Sequence, residues 1–366
     1  MQFKRMPLEK WFDDYQYKVK YNLGESGVKW TSLDQLNIEF QHLPLRYGYH
    51  QGNPELREVI AAQYKNIKPD QVLITNGASE ALFVLASVIL NPGDHVIIEH
   101  PNYPSNYEVP RSLGCNVDFL ELKFDQDFKP EINELRELIK PKTKLISLTH
   151  PNNPTGSIIS KELLLEIIEL AERYNCYLIL DETYRDLSWD YELPLAATLS
   201  SKVISISSMS KSLGLPGIRI GWLISTDKSI IEAALAVREQ ITICNSALGE
   251  MIALFVLRNQ EKYLETLKKH ITQNLEKVSS WIEQEKDYLE WIKPEAGVVC
   301  FPRIKMYHHL DPEKLYRSLV EDFKTFVIPG RCFEIDNCYF RLGYGGETEE
   351  LETGLKNIDR ALQENL

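Results

Sequence analysis

Cysteine is sparse here and follows no pattern. Six cysteines (Cys115, Cys176, Cys244, Cys300, Cys332 and Cys338) are scattered over 366 residues without a Cys-x-x-Cys. That spacing suits neither a zinc knuckle nor a redox pair, and it leads to the expectation of reduced, buried thiols in a cytoplasmic protein. An excess of basic residues is also missing. Lys and Arg number 41 against 53 Asp and Glu, a net charge of −12. Nucleic acid rewards basic patches, so it is not an expected partner. No apolar run is long enough to span a bilayer, so no membrane contact is expected. The opening residues Met1 to Pro7 contain no apolar h-region, so no secretory leader is expected. Repeats and low-complexity tracts are absent. His50, His100 and His150 lack metal-ligand spacing and read as loop or packing residues, so no metal is expected.

The remaining composition is that of a soluble enzyme, with room for a large core and a second, smaller domain. Leu8 to Tyr21 reads as an amphipathic arm, followed by a loop at 22–28. A helix is predicted from Pro54 to about Lys65. Short strands are predicted at Val72–Thr75, His95–Ile98, Asn116–Leu122, Lys144–Thr149, Tyr177–Leu180, Val203–Ile206 and Ile220–Ile224. Helices at Glu80–Leu90 and about Lys161–Tyr174 lie between them. This alternation predicts an α/β fold with a mostly parallel sheet. One long helical region is expected over about Lys228–Ser280. Short strands and helices at about 311–323 and 347–362 should then complete an α+β unit.

The chemistry gathers where strands end, which is where open α/β sheets bind ligands. After Val203–Ile206 come Ser208, Ser210 and Lys211, and Arg219 follows a Leu-Pro-Gly turn. A free lysine is protonated near neutrality and is a poor nucleophile. As a Schiff base with an aldehyde cofactor it becomes an exchangeable imine. The serines and Arg219 offer a phosphate its hydroxyl donors and a planar cation. Asn76-Gly77-Ala78-Ser79 turns straight into a helix, which makes a second anion site. Taken alone, a surface loop with one solvated lysine explains the Lys211 stretch equally well.

The ordered set is more specific. Tyr47-Gly48 with Gly52-Asn53-Pro54-Glu55-Leu56-Arg57, Thr75 to Ser79, Asn152-Asn153-Pro154-Thr155-Gly156, Asp181-Glu182-Thr183-Tyr184, and Ser208-Met209-Ser210-Lys211 with Arg219 resemble the class I and II aminotransferases. These are fold type I enzymes dependent on pyridoxal 5'-phosphate (PLP). The resemblance implies a large domain with a mostly parallel seven-stranded sheet between helices, and a smaller α+β domain. It places an N-terminal arm at 1–35 against the small domain, the PLP domain at 36–240, and a linking helix with the small domain at 241–366. It implies that Lys211 carries PLP as an internal aldimine and moves the substrate's Cα proton. Asp181 would face the pyridine nitrogen, and Asn153 and Tyr184 the ring's 3-oxygen. Gly77, Ala78, Ser79, Ser208, Ser210 and Arg219 would cradle the phosphate, and Tyr103 would stack on the ring. Arg341 would clamp the substrate carboxylate near Gly24 and Asn153. Tyr47 would reach the phosphate of a neighbouring subunit, which implies a homodimer with shared sites. The rival readings are a turn for Asn153, core aromatics for Tyr103 and Tyr184, caps for the serines, and a surface strand for Arg341.

Pro7 to Trp11, Ser26 to Val28 and Arg238 to Ser246 look like the branch that includes capreomycidine synthase. The expected reaction is transfer of an amino group from an α-amino acid to a 2-oxo acid, with elimination and ring closure as the alternative. A non-catalytic PLP-binding regulator is a further alternative, set against by the intact Lys, Asp and Arg set. Glu25 and the acidic balance favour a neutral or cationic substrate side chain. No second arginine is assigned to a distal carboxylate; Arg46 and Arg238 are candidates and no more.

Overall fold

The computed structural model describes residues 2–36, 38–189, 193–305 and 310–365. The chain opens with helix α1 (Pro7–Tyr15), strand β1 (Tyr21–Asn22) and the short α2 (Leu33–Leu36). Next come α3 (Pro54–Ala62), β2 (Val72–Thr75), α4 (Gly77–Ile89), β3 (His95–His100), α5 (Ser105–Ser112) and β4 (Asn116–Glu121). They are followed by α6 (Ile132–Leu138), β5 (Thr143–Thr149), α7 (Lys161–Arg173), β6 (Tyr177–Asp181), β7 (Val203–Ser208) and β8 (Gly221–Ser225). Three helices succeed the sheet, α8 (Lys228–Glu239), α9 (Ala247–Arg258) and α10 (Gln260–Gln284). The remainder is β9 (Leu289–Glu290), β10 (Val299–Cys300), β11 (Arg303–Ile304), α11 (Pro312–Glu321), β12 (Thr325–Phe326), β13 (Ile328–Pro329), β14 (Phe340–Gly343) and α12 (Thr348–Asn365).

Seven strands form one sheet in the order β2-β8-β7-β6-β5-β3-β4. Only β8 runs against the others, antiparallel to both β2 and β7. Strand residues point alternately to opposite faces, and each face is roofed by helices. Leu73, Ile98, Ile179 and Leu223 join the apolar cluster of α4, α5 and α8. Ile97, Leu178 and Leu180 pack with α6 and α7, while Ile74, Trp222 and Ile224 pack with α3 and α9.

A separate apolar cluster ties α1 to α10, α11 and α12. The indole of Trp11 donates to the Val327 carbonyl at 2.9 Å, and the Phe12 ring meets Phe326 edge-on at 5.2 Å. The N-terminal arm therefore rides on the C-terminal part of the chain. β1 strengthens that tie by pairing in parallel with β12.

Several boundaries differ from the sequence reading. Helix α4 starts at Gly77, so the expected turn is already helix. The long helical region is three helices. Ile243 takes a positive φ of 62° between α8 and α9, and the Ser246 side chain caps a new start by accepting the Gly249 N–H. Helices α5 and α6 were not foreseen, because α5 carries an internal Pro110 and α6 has only 7 residues. No helix among the described residues is long and apolar enough to cross a membrane.

Candidate active site

Because β8 is reversed, its first residue lies at the edge where the parallel strands end. Thr75 and Ser208 both pair with Gly221. A Cβ on Gly221 would come within 2.5 Å of the Gly77 carbonyl carbon, so glycine lets the start of α4 press against β8. Gly77 has φ +78°, and a Cβ there would stand 2.5 Å from Arg219 Nη2. Arg219 donates to the carbonyls of Pro216 at 2.9 Å and Asn76 at 3.3 Å. The Asn76 side chain does not cap α4. The first N–H groups of α4 and a guanidinium thus meet at one corner.

Ala78, Ser79, Ser208, Ser210 and Arg219 line a cavity of ≈ 430 Å³ at this corner, together with Tyr103, Asn153, Asp181, Tyr184, Lys211 and Arg341. Asp181 ends β6, and its Oδ1 accepts the Thr183 N–H at 3.0 Å and the Thr183 hydroxyl. Burial pushes the Asp181 carboxyl up, while Thr183 and Lys211 pull it back. Burial also pulls the Lys211 ammonium down from the usual lysine range; Glu25 opposes this and Arg341 adds to it.

Arg341 is only 1% exposed. It donates to Asn153 Oδ1 at 3.0 Å and to the Gly24 carbonyl at 2.7 Å, and its Nε has no partner. Both acceptors are neutral, and burial pulls the guanidinium pKa down. Gly24 is confined by Phe326, whose Cδ1 would lie 2.4 Å from a Cβ.

Tyr184 and Tyr47 stand apart from the other residues of the motif set. The Tyr184 hydroxyl donates to the Ser26 carbonyl at 2.7 Å, so its proton is engaged by backbone and its oxygen is left to accept. Burial raises that hydroxyl to about 12. Tyr47 is 80% exposed and is not part of its own chain's cavity.

The sequence reading missed one wall. Leu8, Glu9, Phe12 and Asp13 of α1 and Gln16 at its C-cap line the cavity, on the side of the helix next to the one that Trp11 turns to the C-terminal cluster. The helical spacing was legible, but nothing in it said which element the second face would meet. Glu9 accepts the Tyr103 hydroxyl at 2.9 Å. Thr149 and Thr183 were missed as well. Behind Thr149, the buried Glu99 accepts the Thr149 N–H at 2.6 Å and the Asn152 amide at 2.8 Å. Its carboxyl is pushed up to about 8 by burial.

Residues 33–358 match the profile described as aminotransferase class I and II. The chain belongs to this family. Among its relatives, capreomycidine synthase of Streptomyces vinaceus is 27% identical over 97% of this chain and 93% of the relative. A PLP-dependent aminotransferase from Streptococcus suis 89-1591 superposes with a TM-score of 0.94 at 29% identity, covering 100% of this chain and 99% of that one. The PLP-dependent cyclase OrfR gives 0.91 at 26% identity, with coverage of 100% and 98%.

The cofactor of this aminotransferase-family protein is pyridoxal 5'-phosphate. The residues present suit that group. A phosphate requires donors without a competing acceptor, which the uncapped start of α4 and Arg219 offer, with Gly77 leaving the space a Cβ would fill. A pyridine nitrogen requires a carboxylate in a dry setting, and Asp181 is 6% exposed. Among the described residues no cluster of metal-ligating side chains occurs.

Proposed function

We propose that this protein is an aminotransferase that moves the amino group of an α-amino acid to a 2-oxo acid, with Lys211 as the residue bonded to the cofactor. The observation that carries the reading is one cavity that holds a half-buried lysine, a buried carboxyl and a buried arginine with no ion-pair partner among the described residues. Bound there, PLP supplies an aldehyde for condensation with amines and a ring that accepts the electron pair left at the substrate Cα.

In this reading Gly77, Ala78, Ser79, Ser208, Ser210 and Arg219 hold the phosphate, and Tyr103 lies against the ring. Asp181 keeps a proton on the ring nitrogen. Asn153 donates toward the ring's 3-oxygen while its own oxygen receives Arg341. Arg341 and Gly24 orient the substrate carboxylate. The Lys211 amine, favoured over its ammonium by burial, removes the Cα proton and returns it to the adjoining carbon. Tyr184 holds the Ser26 segment over the cavity by its hydrogen bond.

A second reading, elimination with ring closure, is supported by the likeness to the cyclase OrfR and to capreomycidine synthase. Both reactions share the loss of the Cα proton. We also propose a homodimer in which Tyr47 completes the partner's site, and a division into an arm at 1–35, a cofactor domain at 36–240 and a small domain with its linking helix at 241–366. The packing of α1 in one cluster with α10, α11 and α12 supports the arm's assignment.

Borohydride reduction of the holoenzyme should leave the pyridoxyl mass on Lys211, and Lys211→Ala should lose turnover. Label on another lysine would refute the assignment. Separating oxo acid from ammonia and cyclised product after incubation with an amino-acid panel decides between the two reactions.

A further inference from the structure

The charges that line the cavity do not balance once each has its task. The cations are Lys211, Arg219 and Arg341, and the acids are Glu9, Asp13, Glu25 and Asp181. The proposed function uses Arg219 for the phosphate, Arg341 for the substrate carboxylate, Lys211 for the amine chemistry and Asp181 for the ring nitrogen. Three acids remain, and no cation.

Those acids share one side. Glu9 and Asp13 stand one turn apart on α1, and Glu25 follows β1. Asp13 pairs with the exposed Arg5, which places it at the rim. Glu9 receives only the Tyr103 hydroxyl, a neutral donor. Glu25 is half-buried, and its carboxylate has no hydrogen-bond or ion-pair partner among the described residues. Both Glu25 and Glu9 act on Arg341 and on Lys211, so all four sit within each other's field.

A second, independent feature points to a ligand. Arg341 is buried with an orphan Nε, a cation awaiting an anion in the same cavity. An anion receptor and two carboxylates, Glu9 and Glu25, without an ion-pair partner among the described residues suit a molecule bearing a carboxylate at one end and a cation at the other. Room for such a molecule exists. A neighbouring cavity of ≈ 450 Å³ shares Gln16 and Glu25 as lining and has apolar walls from Leu23, Val28, Trp30 and Leu351. Methylene stems of amine and guanidine side chains cover such apolar surface while their charged heads reach polar groups.

We propose that Glu25 and Glu9 form the side-chain subsite, and that it takes the cationic end of a basic α-amino acid, an amine or a guanidine. This rests on the reading of Arg341 as the carboxylate clamp. A dicarboxylic substrate would direct its second carboxylate at Glu9 and Glu25, where the one further cation of the neighbouring cavity, Lys29, is already paired with Glu347, and like charges so placed repel.

The test uses holoenzyme and rapid-mixing absorbance of the bound cofactor with arginine, ornithine, citrulline, glutamine, aspartate and glutamate. Citrulline keeps the shape of arginine and removes its charge. Arginine or ornithine should convert the cofactor ~10-fold or more faster than citrulline, the size expected of one charge-assisted hydrogen bond. Glu25→Gln should reduce the arginine-to-citrulline ratio toward one, and Glu25→Lys should shift preference toward glutamate. Equal rates for arginine and citrulline, or aspartate or glutamate fastest, would overturn the proposal.

The absorbance change precedes the step that separates transfer from ring closure, so a failure of the amino-transfer reading leaves this readout intact. Calorimetry with non-reacting α-methylornithine and α-methylglutamate reports binding without turnover. The basic analogue should bind more tightly; equal binding, or binding of neither, counts against the subsite.

Discussion

Arg341 has been removed from water with no ion-pair partner among the described residues, and that arrangement is costly until an anion arrives. Arg341→Gln should lower kcat/KM for every amino acid alike. Losing one partner of a buried charge pair costs about 2–5 kcal/mol, or ~30- to several thousand-fold. The apoenzyme, relieved of a lone buried charge, should melt no lower than wild type. A loss confined to one side-chain class in steady-state assays would contradict the carboxylate role. Gly77 makes a different demand, on backbone and space. Gly77→Ala forces a Cβ into a left-handed conformation, at about 1–2 kcal/mol, and toward Arg219 Nη2. Cofactor affinity should fall ~10-fold or more in fluorescence titration of the apoenzyme with PLP, with the far-ultraviolet circular dichroism unchanged.

Among the elements, the ends of β3 and β5 are joined through Glu99. Its carboxyl bonds to Thr149 and Asn152, and the Thr149 hydroxyl donates to Asn102 Oδ1 at 2.8 Å. Burial raises this carboxyl from 4.5 to about 8. The sign follows from linkage. The unfolded chain ionises Glu99 above about pH 4.5 and the folded chain only near pH 8, so this group's stabilisation is complete at low pH and is lost as pH rises between those values. Glu99→Gln abolishes the effect. Its stability relative to wild type should therefore rise with pH, by at most roughly 1.4 kcal/mol per pH unit within the window. Urea unfolding of both apoproteins at pH 5 and pH 8 measures this, and an equal difference at the two values would show that Glu99 is already ionised in the fold. His150 has the opposite sign. Burial pulls it down to about 4, so its stabilisation is present above pH 6.5 and is lost toward pH 4. The Glu99→Gln comparison cancels it.

On the scale of the molecule, one apolar surface lacks a cover. Leu45, Tyr47 and Tyr49 are 80%, 80% and 64% exposed, and Ile241, Ile243 and Leu248 are 49%, 43% and 42% exposed. The two segments adjoin, since Arg238 donates to the His50 carbonyl and Glu250 accepts the Asn53 N–H at 2.9 Å. Contiguous exposed apolar groups of this kind mark interaction sites. Because Tyr47 lies outside its own cavity, the proposed shared site requires this face to be the dimer interface. Sedimentation should give twice the 42.4 kDa chain mass. Ile243→Lys with Leu248→Lys should yield a monomer with weaker cofactor binding. A monomer of undiminished activity would refute the shared site.

Local chemistry made part of this protein legible in the chain alone. Val72–Thr75 and Val203–Ile206 are short, largely apolar runs, too short for helices, so they became buried strands, and the turns after them had to carry the polar residues. Lys211, Asp181, Gly77 and Arg219 were readable because each belongs to a strand-end motif of a few residues. The breaks in the 228–280 helical region were not readable, since they depend on a cap at Ser246 and a left-handed Ile243, neither of which the apolar spacing marks. The partners of Arg341 lie 188 and 317 residues away, at Asn153 and Gly24. The Tyr184 hydroxyl donates a hydrogen bond to the Ser26 carbonyl across 158 residues. The second face of α1 became a cavity wall only because its first face docked on the C-terminal cluster. Short-range periodicity sets which elements form. Which side chains face one another across a cavity is decided by long-range burial, to which no local spacing has access.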